Sequence, residues 1–135
     1  MASVLGEKDA IREVLAEYCF RLDADRFEEL AALLTADGTW ETAFGTAGGR
    51  AEIARLARRL AERRAPRPRQ VHCVTNIVNR LAGMRANVAS NWLLIENASD
   101  GPRIVAGGGY ADEMVKKGGA WLFRHRRIDR FITDA

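Results

Sequence analysis

The stretch that most constrains the fold is Ala10-Ile11-Arg12-Glu13-Val14-Leu15-Ala16-Glu17-Tyr18-Cys19-Phe20-Arg21-Leu22-Asp23. Its apolar residues recur at helical spacing, which predicts a first helix over about residues 9–22 with Tyr18 on its inner face. Asp23 lies one turn beyond Cys19, at the edge of that apolar face. Because a buried carboxylate is costly unless it is paired or hydrogen-bonded, Asp23 requires a partner elsewhere in the chain.

Two further helices are predicted. Asp25 followed by Glu28 is a capping-box pattern, which predicts a second helix with Asp25 as its N-cap. Ile53, Leu56 and Leu60 recur at helical spacing and predict a third helix over about residues 50–63.

The remaining segments alternate in polarity and predict strands. The first is a short strand over residues 39–44, which follows a turn at Asp37-Gly38 and precedes a loop over residues 45–49. The others form an antiparallel meander with a tight hairpin at Gly118-Gly119; they span residues 70–81, 86–96, 103–116 and 120–132. Helices followed by such a meander predict an α+β fold, in which the helices pack on one face of a curved sheet.

Composition indicates one ordinary globular domain over residues 1–135. Of its 135 residues, 47% are apolar and 29% are charged, and the net charge is +3. The apolar runs are far shorter than the roughly 20 residues that span a bilayer, and the start lacks a secretory signal pattern, so we expect a cytoplasmic protein without membrane contact. Cys19 and Cys73 are expected to be free thiols, and no Cys/His spacing indicates a metal site.

Basic residues are concentrated in one segment, with eight arginines between Arg50 and Arg69. Such a cluster is typical either of a nucleic-acid patch or of a solvated helix face followed by a loop. No aromatic residues interleave it and no binding motif accompanies it. The pattern therefore favours the solvated face, and no nucleic-acid partner is expected.

His72 is the candidate partner for Asp23. On the predicted strand it shares a face with Val74, Asn76 and Val78, where a histidine is most often a core residue with its hydrogen bonds satisfied. An aspartate that accepts the Nδ1 proton would instead leave Nε2 free as a general base. Both interpretations stay open from the sequence, because nothing local shows that the two residues meet.

Four other side chains are candidates for ligand contact. Tyr18 is either a core residue or a hydroxyl that polarises a carbonyl group. Arg130 shares a strand face with Ile128, where a half-buried guanidinium would suit a carboxylate or enolate. Asn91, next to Ser90 in a predicted strand, either lines a pocket or is an ordinary polar residue of the sheet. Asn91 and Trp40 are assigned to substrate binding. Gly107-Gly108-Gly109 is interpreted as a β-bulge, and His125 as structural.

The order of several short motifs resembles the SnoaL-like branch of the nuclear-transport-factor-type superfamily, over nearly the whole chain. The carriers are residues 18–23 (YCFRLD), 27–30 (FEEL), 37–40 (DGTW), 72–76 (HCVTN), 109–113 (GYADE) and 119–123 (GAWLF). The resemblance implies a cone-shaped α+β barrel, in which a strongly curved, mostly antiparallel sheet wraps around about three amino-terminal helices.

The resemblance also implies a function. Within the superfamily, scytalone dehydratase, bile acid 7α-dehydratase and hexachlorocyclohexane dehydrochlorinase use an Asp–His pair for elimination, and Asp23 and His72 match that pair. Tyr18 and Arg130 match a further Tyr and Arg of the bile acid enzyme. We therefore expect a lyase of the dehydratase type, or an isomerase or cyclase, without a cofactor. Its substrate would be a small apolar, aromatic or polycyclic molecule, and the protein would be a homodimer or homotrimer.

Two observations limit this expectation. The strand segment Val105 to Gly109 lacks the extra pocket histidine of scytalone dehydratase, so scytalone is not the expected substrate. The carboxyl-terminal half also resembles the small β subunit of ring-hydroxylating dioxygenases, which carries no cofactor and supports an oligomer. A non-catalytic binding or assembly module is therefore the alternative function.

Overall fold

A computed structural model of the chain describes residues 3–133. The helices it describes are α1 (Val4–Asp23), α2 (Phe27–Ala31) and α3 (Arg50–Glu62). The strands are β1 (Leu34–Thr42), β2 (Gly45–Gly48), β3 (Gln70–Ala82), β4 (Arg85–Ala98), β5 (Gly101–Lys117) and β6 (Ala120–Thr133).

The strands form one six-stranded sheet in the order β2-β1-β6-β5-β4-β3. All neighbours pair antiparallel except β1 and β6, which are parallel. The sheet is open, with β2 and β3 at its edges, so the expected barrel is not closed. The predicted α+β class and the mostly antiparallel sheet are confirmed. Among residues 3–133, no helix is long and apolar enough to traverse a bilayer.

Helix α1 begins five residues before its predicted start. The side chain of Ser3 accepts a hydrogen bond from the backbone N–H of Gly6, at 3.0 Å, and so caps the helix at an earlier point. Ile11, Leu15 and Tyr18 on its inner face are fully buried. The helix packs against β3 and β6, which places its carboxyl-terminal end beside the start of β3.

The predicted capping box of the second helix is wrong. Asp25 has a left-handed backbone with φ of 58°, and Arg26 is the N-cap of α2 without any side-chain capping bond. The Asp25 carboxylate instead forms an ion pair with Arg67. A tertiary contact has therefore taken the side chain that the local pattern assigned to the helix.

The first strand also differs from its prediction. Strand β1 runs from Leu34 through the Asp37-Gly38 pair that was predicted as a turn. It pairs with β6 at Leu34 and again from Thr39 to Glu41, with a register shift between them, so residues 35–38 form an irregular part of the strand rather than its end. Residues 45–48, predicted as a loop, form β2, which pairs antiparallel with β1.

Irregular pairings decide which side chains point inward. Between Thr75 and Val78 the register of β3 against β4 shifts, and Asn76 has φ of 54°. His72 and Val78 therefore do not share a face as predicted, and Val78 is 51% exposed. The predicted glycine bulge is not formed by the glycines themselves: the register shifts between Gly107 and Gly108, but the extra residue is Phe131 of β6, so the glycines lie opposite the bulge.

Candidate functional site

The carboxylate at the end of α1 meets the imidazole near the start of β3. Oδ1 of Asp23 lies 2.6 Å from Nδ1 of His72, and Oδ2 accepts the backbone N–H of His72 at 2.8 Å. Gln70 adds a longer hydrogen bond to Oδ1, at 3.4 Å. Because both carboxylate oxygens are used, the carboxylate is fixed in orientation and in turn fixes the ring.

The pair is well shielded from solvent. The side chains of His72 and Asp23 are 11% and 18% exposed. With Nδ1 donating to the carboxylate, Nε2 is the ring nitrogen that is left to accept a proton. Among residues 3–133, no group forms a hydrogen bond with that Nε2. This is the arrangement that a general base requires.

His72 lines a cavity of about 420 Å³ that opens between the helices and the concave face of the sheet. The inner wall is largely apolar and aromatic; it includes Leu22, Phe27, Trp40, Leu60, Trp92, Leu94, Tyr110 and Ile128. A cavity of this size and lining suits a small, largely apolar molecule. The imidazole of His72 therefore lies on the cavity wall, and the other residues of that wall come from both halves of the chain.

Tyr18 and Trp40 form a buried hydrogen-bonded pair in this wall. The indole Nε1–H of Trp40 donates to the hydroxyl oxygen of Tyr18 at 2.9 Å. The hydroxyl therefore keeps its own proton for donation, while Trp40 offers a ligand only apolar surface. Tyr18 has no exposed area, so a hydrogen bond from it to a ligand requires movement of the surrounding side chains.

A buried ion pair that sequence analysis missed lies behind Tyr18. Arg126 is completely buried and donates to the carboxylate of Asp112 through Nε at 2.9 Å and through Nη2 at 3.2 Å. Its guanidinium carbon lies 3.5, 4.1 and 4.5 Å from the ring centroids of Tyr110, Tyr18 and Phe123. The cation is thus held by one carboxylate and three aromatic faces.

The protonation states of this cluster follow from burial and from that cation. Burial raises the pKa of Tyr18 to about 12, although Arg126 and the Trp40 hydrogen bond act in the opposite direction. Burial also raises the pKa of the Asp112 carboxyl, against the attraction of Arg126. Because a guanidinium stays protonated at any ordinary pH and donates both bonds, we take the pair as ionised and Tyr18 as a neutral phenol.

The position of Arg126 follows from a second irregular pairing. Trp121 and Phe123 point inward, and strict alternation would place His125 inward next. A register shift between Glu113 and Met114 leaves one extra residue in β6, so that Arg126 becomes the buried position. Asp112 and Arg126 carry opposite charges and lie in two strands that are adjacent in the sequence. Their pairing could be predicted from the sequence only if the position of the bulge were known.

Two further predicted residues have different outcomes. Arg130 is half-buried, lines the cavity and stacks on Phe44, with its guanidinium carbon 5.2 Å from the ring centroid. Asn91 is exposed and lies outside the cavity, where it accepts a hydrogen bond from Asn76 and donates one to the carbonyl of Gly108. Its strand neighbours Ser90 and Trp92 are the ones that point inward.

The predicted free thiols are confirmed for both cysteines. Burial raises the pKa of Cys19 to about 11, so this thiol is not an activated nucleophile. Within residues 3–133, no three His, Cys, Asp or Glu side chains are grouped so as to hold a metal ion.

The chain belongs to the SnoaL-like domain family, whose profile matches residues 3–127. This family includes dehydratases and cyclases as well as non-catalytic subunits. Among proteins with curated descriptions, none matches the sequence significantly.

Solved structures agree with this assignment. A candidate scytalone dehydratase from Novosphingobium aromaticivorans is 28% identical, with a TM-score of 0.81 over 97% of this chain and 89% of that chain. Rv3472 of Mycobacterium tuberculosis, a protein of unknown function, is 25% identical, with a TM-score of 0.83 over 93% of this chain and 72% of that one. The β subunit of a candidate aromatic-ring-hydroxylating dioxygenase from N. aromaticivorans shares the fold, at 22% identity and a TM-score of 0.75 over 94% and 88%.

Proposed function

We propose that this protein is a cofactor-independent lyase of the dehydratase type, or an isomerase or cyclase that begins with the same proton abstraction. The observation that carries the proposal is the 2.6 Å contact between Asp23 and His72 on the wall of a cavity of about 420 Å³. The substrate would be a small apolar, aromatic or polycyclic molecule with an acidic C–H beside a carbonyl group.

In the first step, Nε2 of His72 removes the proton from that carbon. The electron pair of the C–H bond moves towards the carbonyl oxygen, which becomes an enolate. Asp23 holds the imidazole in the required tautomer and stabilises the imidazolium that forms. A base positioned in this way typically contributes about 10²–10⁴-fold to the rate.

The second step determines the type of enzyme. If a hydroxyl group lies β to the carbonyl, the enolate expels it, and the leaving hydroxide takes the proton from His72 as water. If the imidazolium returns its proton to a different carbon, the reaction is an isomerisation. If the enolate carbon attacks a second carbonyl carbon of the same molecule, it closes a ring, and the oxygen of that carbonyl receives the electron pair and takes the proton from His72.

Negative charge on the enolate oxygen needs a donor. We assign this role to Tyr18, whose neutral phenol keeps its proton at neutral pH and stacks against Arg126. Because Tyr18 is fully buried, the side chains around it must move for its hydroxyl to reach the enolate oxygen. The positive guanidinium face would favour partial negative charge on the phenol oxygen as it donates. Arg130, which also lines the cavity, is assigned to substrate binding.

The alternative is a non-catalytic module, as in the dioxygenase β subunits that share the fold. A fold by itself does not determine function. Two observations favour the enzyme: the imidazole lies on a cavity rather than in a filled core, and its Nδ1 contacts a carboxylate rather than a backbone carbonyl.

The proposal is tested through its first step, which needs no knowledge of the product. The protein is incubated in D₂O with a panel of aryl and polycyclic ketones, with and without a β-hydroxyl group. Deuterium incorporation is followed by NMR, and loss of water by mass spectrometry. With a ketone that reacts, Asp23→Asn and His72→Gln should each lower the exchange rate about 10²-fold or more.

Matched controls separate chemistry from damage to the fold. His125→Gln changes the other histidine of the chain, which lies outside the cavity, and Asp9→Asn removes an exposed carboxylate from α1. Both should exchange deuterium at the wild-type rate. If Asp23→Asn and His72→Gln also kept that rate while folded, the Asp–His mechanism would be wrong.

The expected homodimer or homotrimer stays a prediction. Val71, Val78 and Ile104, all in strands, are 51%, 51% and 54% exposed, and such apolar surface is what an assembly through the outer face of the sheet would cover. Sedimentation velocity at micromolar concentration measures the assembly, and a monomer at that concentration would contradict the prediction.

A further inference from the structure

The cavity is lined by four arginines: Arg63, Arg64 and Arg67, in the segment that follows α3, and Arg130 on β6. Because Arg63 and Arg64 are exposed and Arg67 and Arg130 are half-buried, we take this group as the mouth of the cavity. We propose that these arginines form a binding site for an anionic group, so that the substrate is an amphipathic anion. Its apolar body would lie in the cavity and its carboxylate, phosphate or sulfate group at the mouth. This inference rests on the proposed function in one respect: it places the substrate in the same cavity.

Charge pairing at the mouth leaves a positive surplus. Arg67 forms an ion pair with Asp25, and Arg64 forms one with Glu96. For Arg63 and Arg130, by contrast, no carboxylate of residues 3–133 lies within ion-pair distance. Two guanidinium groups are therefore available to a ligand.

Three of the four cations, Arg64, Arg67 and Arg130, lie close enough to affect one another. The pKa of Arg64 is lowered, first by burial and then by the charges of Arg67 and Arg130. Like charges that repel each other at a concave surface are stabilised when an anion binds between them. Guanidinium groups also match carboxylate and phosphate oxygens in geometry, since each can donate two parallel hydrogen bonds.

The position of Arg130 links the charged mouth to the apolar interior. It is half-buried and lines the same cavity as Ile128 and His72. Its stacking on the exposed ring of Phe44 holds the stem in place without using the hydrogen-bond donors of the guanidinium. A substrate whose anionic group is bound at Arg130 would therefore have its reacting carbon at its other end, facing His72.

The test uses two fluorescent probes of nearly the same shape. 8-Anilinonaphthalene-1-sulfonate carries a sulfonate group, and N-phenyl-1-naphthylamine is the same ring system without it. Titration of the purified protein should give tighter binding of the sulfonate, and added NaCl should weaken the sulfonate alone because salt screens the arginine charges.

Substitutions then assign the effect to the arginines. Arg130→Gln and Arg63→Gln should each weaken sulfonate binding about tenfold, as expected for loss of a charge-assisted hydrogen bond, and change binding of the neutral probe less than about twofold. Arg59→Gln, an exposed arginine of α3 that does not line the cavity, should change neither. Ala61→Trp should fill the cavity and abolish binding of both probes.

The outcomes separate this inference from the proposed function. Equal weakening of both probes in Arg130→Gln and Arg63→Gln, or no change in sulfonate binding, would overturn the anion site. Unchanged binding in a folded Ala61→Trp variant would overturn it too, because the probe would not lie in the cavity. Asp23→Asn should bind both probes as the wild type does, whatever its effect on proton exchange.

Discussion

Replacing Asp112 by asparagine should destabilise the protein far more than any change at its surface. Asp112 and Arg126 have fully buried side chains, joined by hydrogen bonds of 2.9 and 3.2 Å. Asparagine has nearly the same volume but no charge, and it offers one acceptor oxygen instead of two. The substitution therefore leaves a guanidinium in the core without a counter-ion.

The magnitude follows from that buried charge. Nη1 of Arg126 has no hydrogen-bond partner within residues 3–133, so no spare acceptor can replace the lost carboxylate oxygen. The aromatic faces of Tyr18, Tyr110 and Phe123 remain, but each contributes little compared with a carboxylate at contact distance. Breaking a buried pair in this way costs about 3–5 kcal/mol, which is a large part of the roughly 5–15 kcal/mol that stabilises a domain.

The assay is urea unfolding followed by tryptophan fluorescence, with thermal unfolding by circular dichroism. The free energy of unfolding of Asp112→Asn should fall by about 3–5 kcal/mol, and its melting temperature by about 10–20 °C. Glu52→Gln breaks an exposed pair with Arg55 and should cost less than about 1 kcal/mol.

A double variant gives the result that decides the argument. Asp112→Leu with Arg126→Met removes both charges, so it should be markedly more stable than Asp112→Asn even though it contains two changes. The reasoning would be refuted if Asp112→Asn lost less than about 1 kcal/mol, or if the double variant lost as much as the single one with an unpaired cation.

Further predictions concern ionisation and backbone packing. Tyr18 and Tyr110 are the two tyrosines of the sequence, and burial raises the pKa of each. Absorbance at 295 nm should therefore show no tyrosinate in the folded protein at about pH 10.5. In the urea-unfolded chain the tyrosines should titrate near about pH 10. Burial also raises the pKa of Cys19 from about 9 to about 11 and that of Tyr18 from 10 to about 12. The unfolded state loses these protons first, so urea-measured stability should fall as the pH rises from about 9 to 12, by about 3 kcal/mol per group. Cys19→Ala should remove the part of this loss that begins at the lower pH. Gly108→Ala should prevent stable folding, because a Cβ there would overlap the carbonyl of Asp129. In Gly109→Ala the tightest contact of the new Cβ is with the ring of Phe131, at 3.3 Å, so this variant should cost about 1–3 kcal/mol in thermal unfolding.

Some elements of the candidate site could be predicted from local sequence. The Asp23 carboxylate lies at the edge of an apolar helix face, where burial without a partner is costly. This predicted a partner elsewhere in the chain, and His72 was the candidate. The triple glycine at residues 107–109 indicated irregular pairing at this point, but the extra residue is Phe131 of β6, and the glycines instead allow the close approach of that strand. The half-buried position of Arg130 followed from its apolar strand neighbour Ile128.

Other residues were assigned wrongly because their environment is created by distant parts of the chain. Asp25 fits a capping box locally, yet its carboxylate pairs with Arg67, far along the chain. Asn91 lies on the outer side of its strand. The alternation of β4 separates its residues into two faces, but only the rest of the fold decides which face is the inner one. Residues 45–48 become a strand only because β1 is there to pair with them.

The sequence by itself determined the α+β order of elements, the inner face of the first helix and the need to compensate Asp23, because these depend on local spacing and on the cost of a buried charge. Only the tertiary structure decided that Arg126, rather than His125, is the buried residue of β6, and that His72 and Val78 face opposite ways. The physical reason is that a bulge adds one residue to one strand of a pair. That single residue reverses the inward and outward alternation beyond it, and the pairing that creates it involves a strand elsewhere in the sequence.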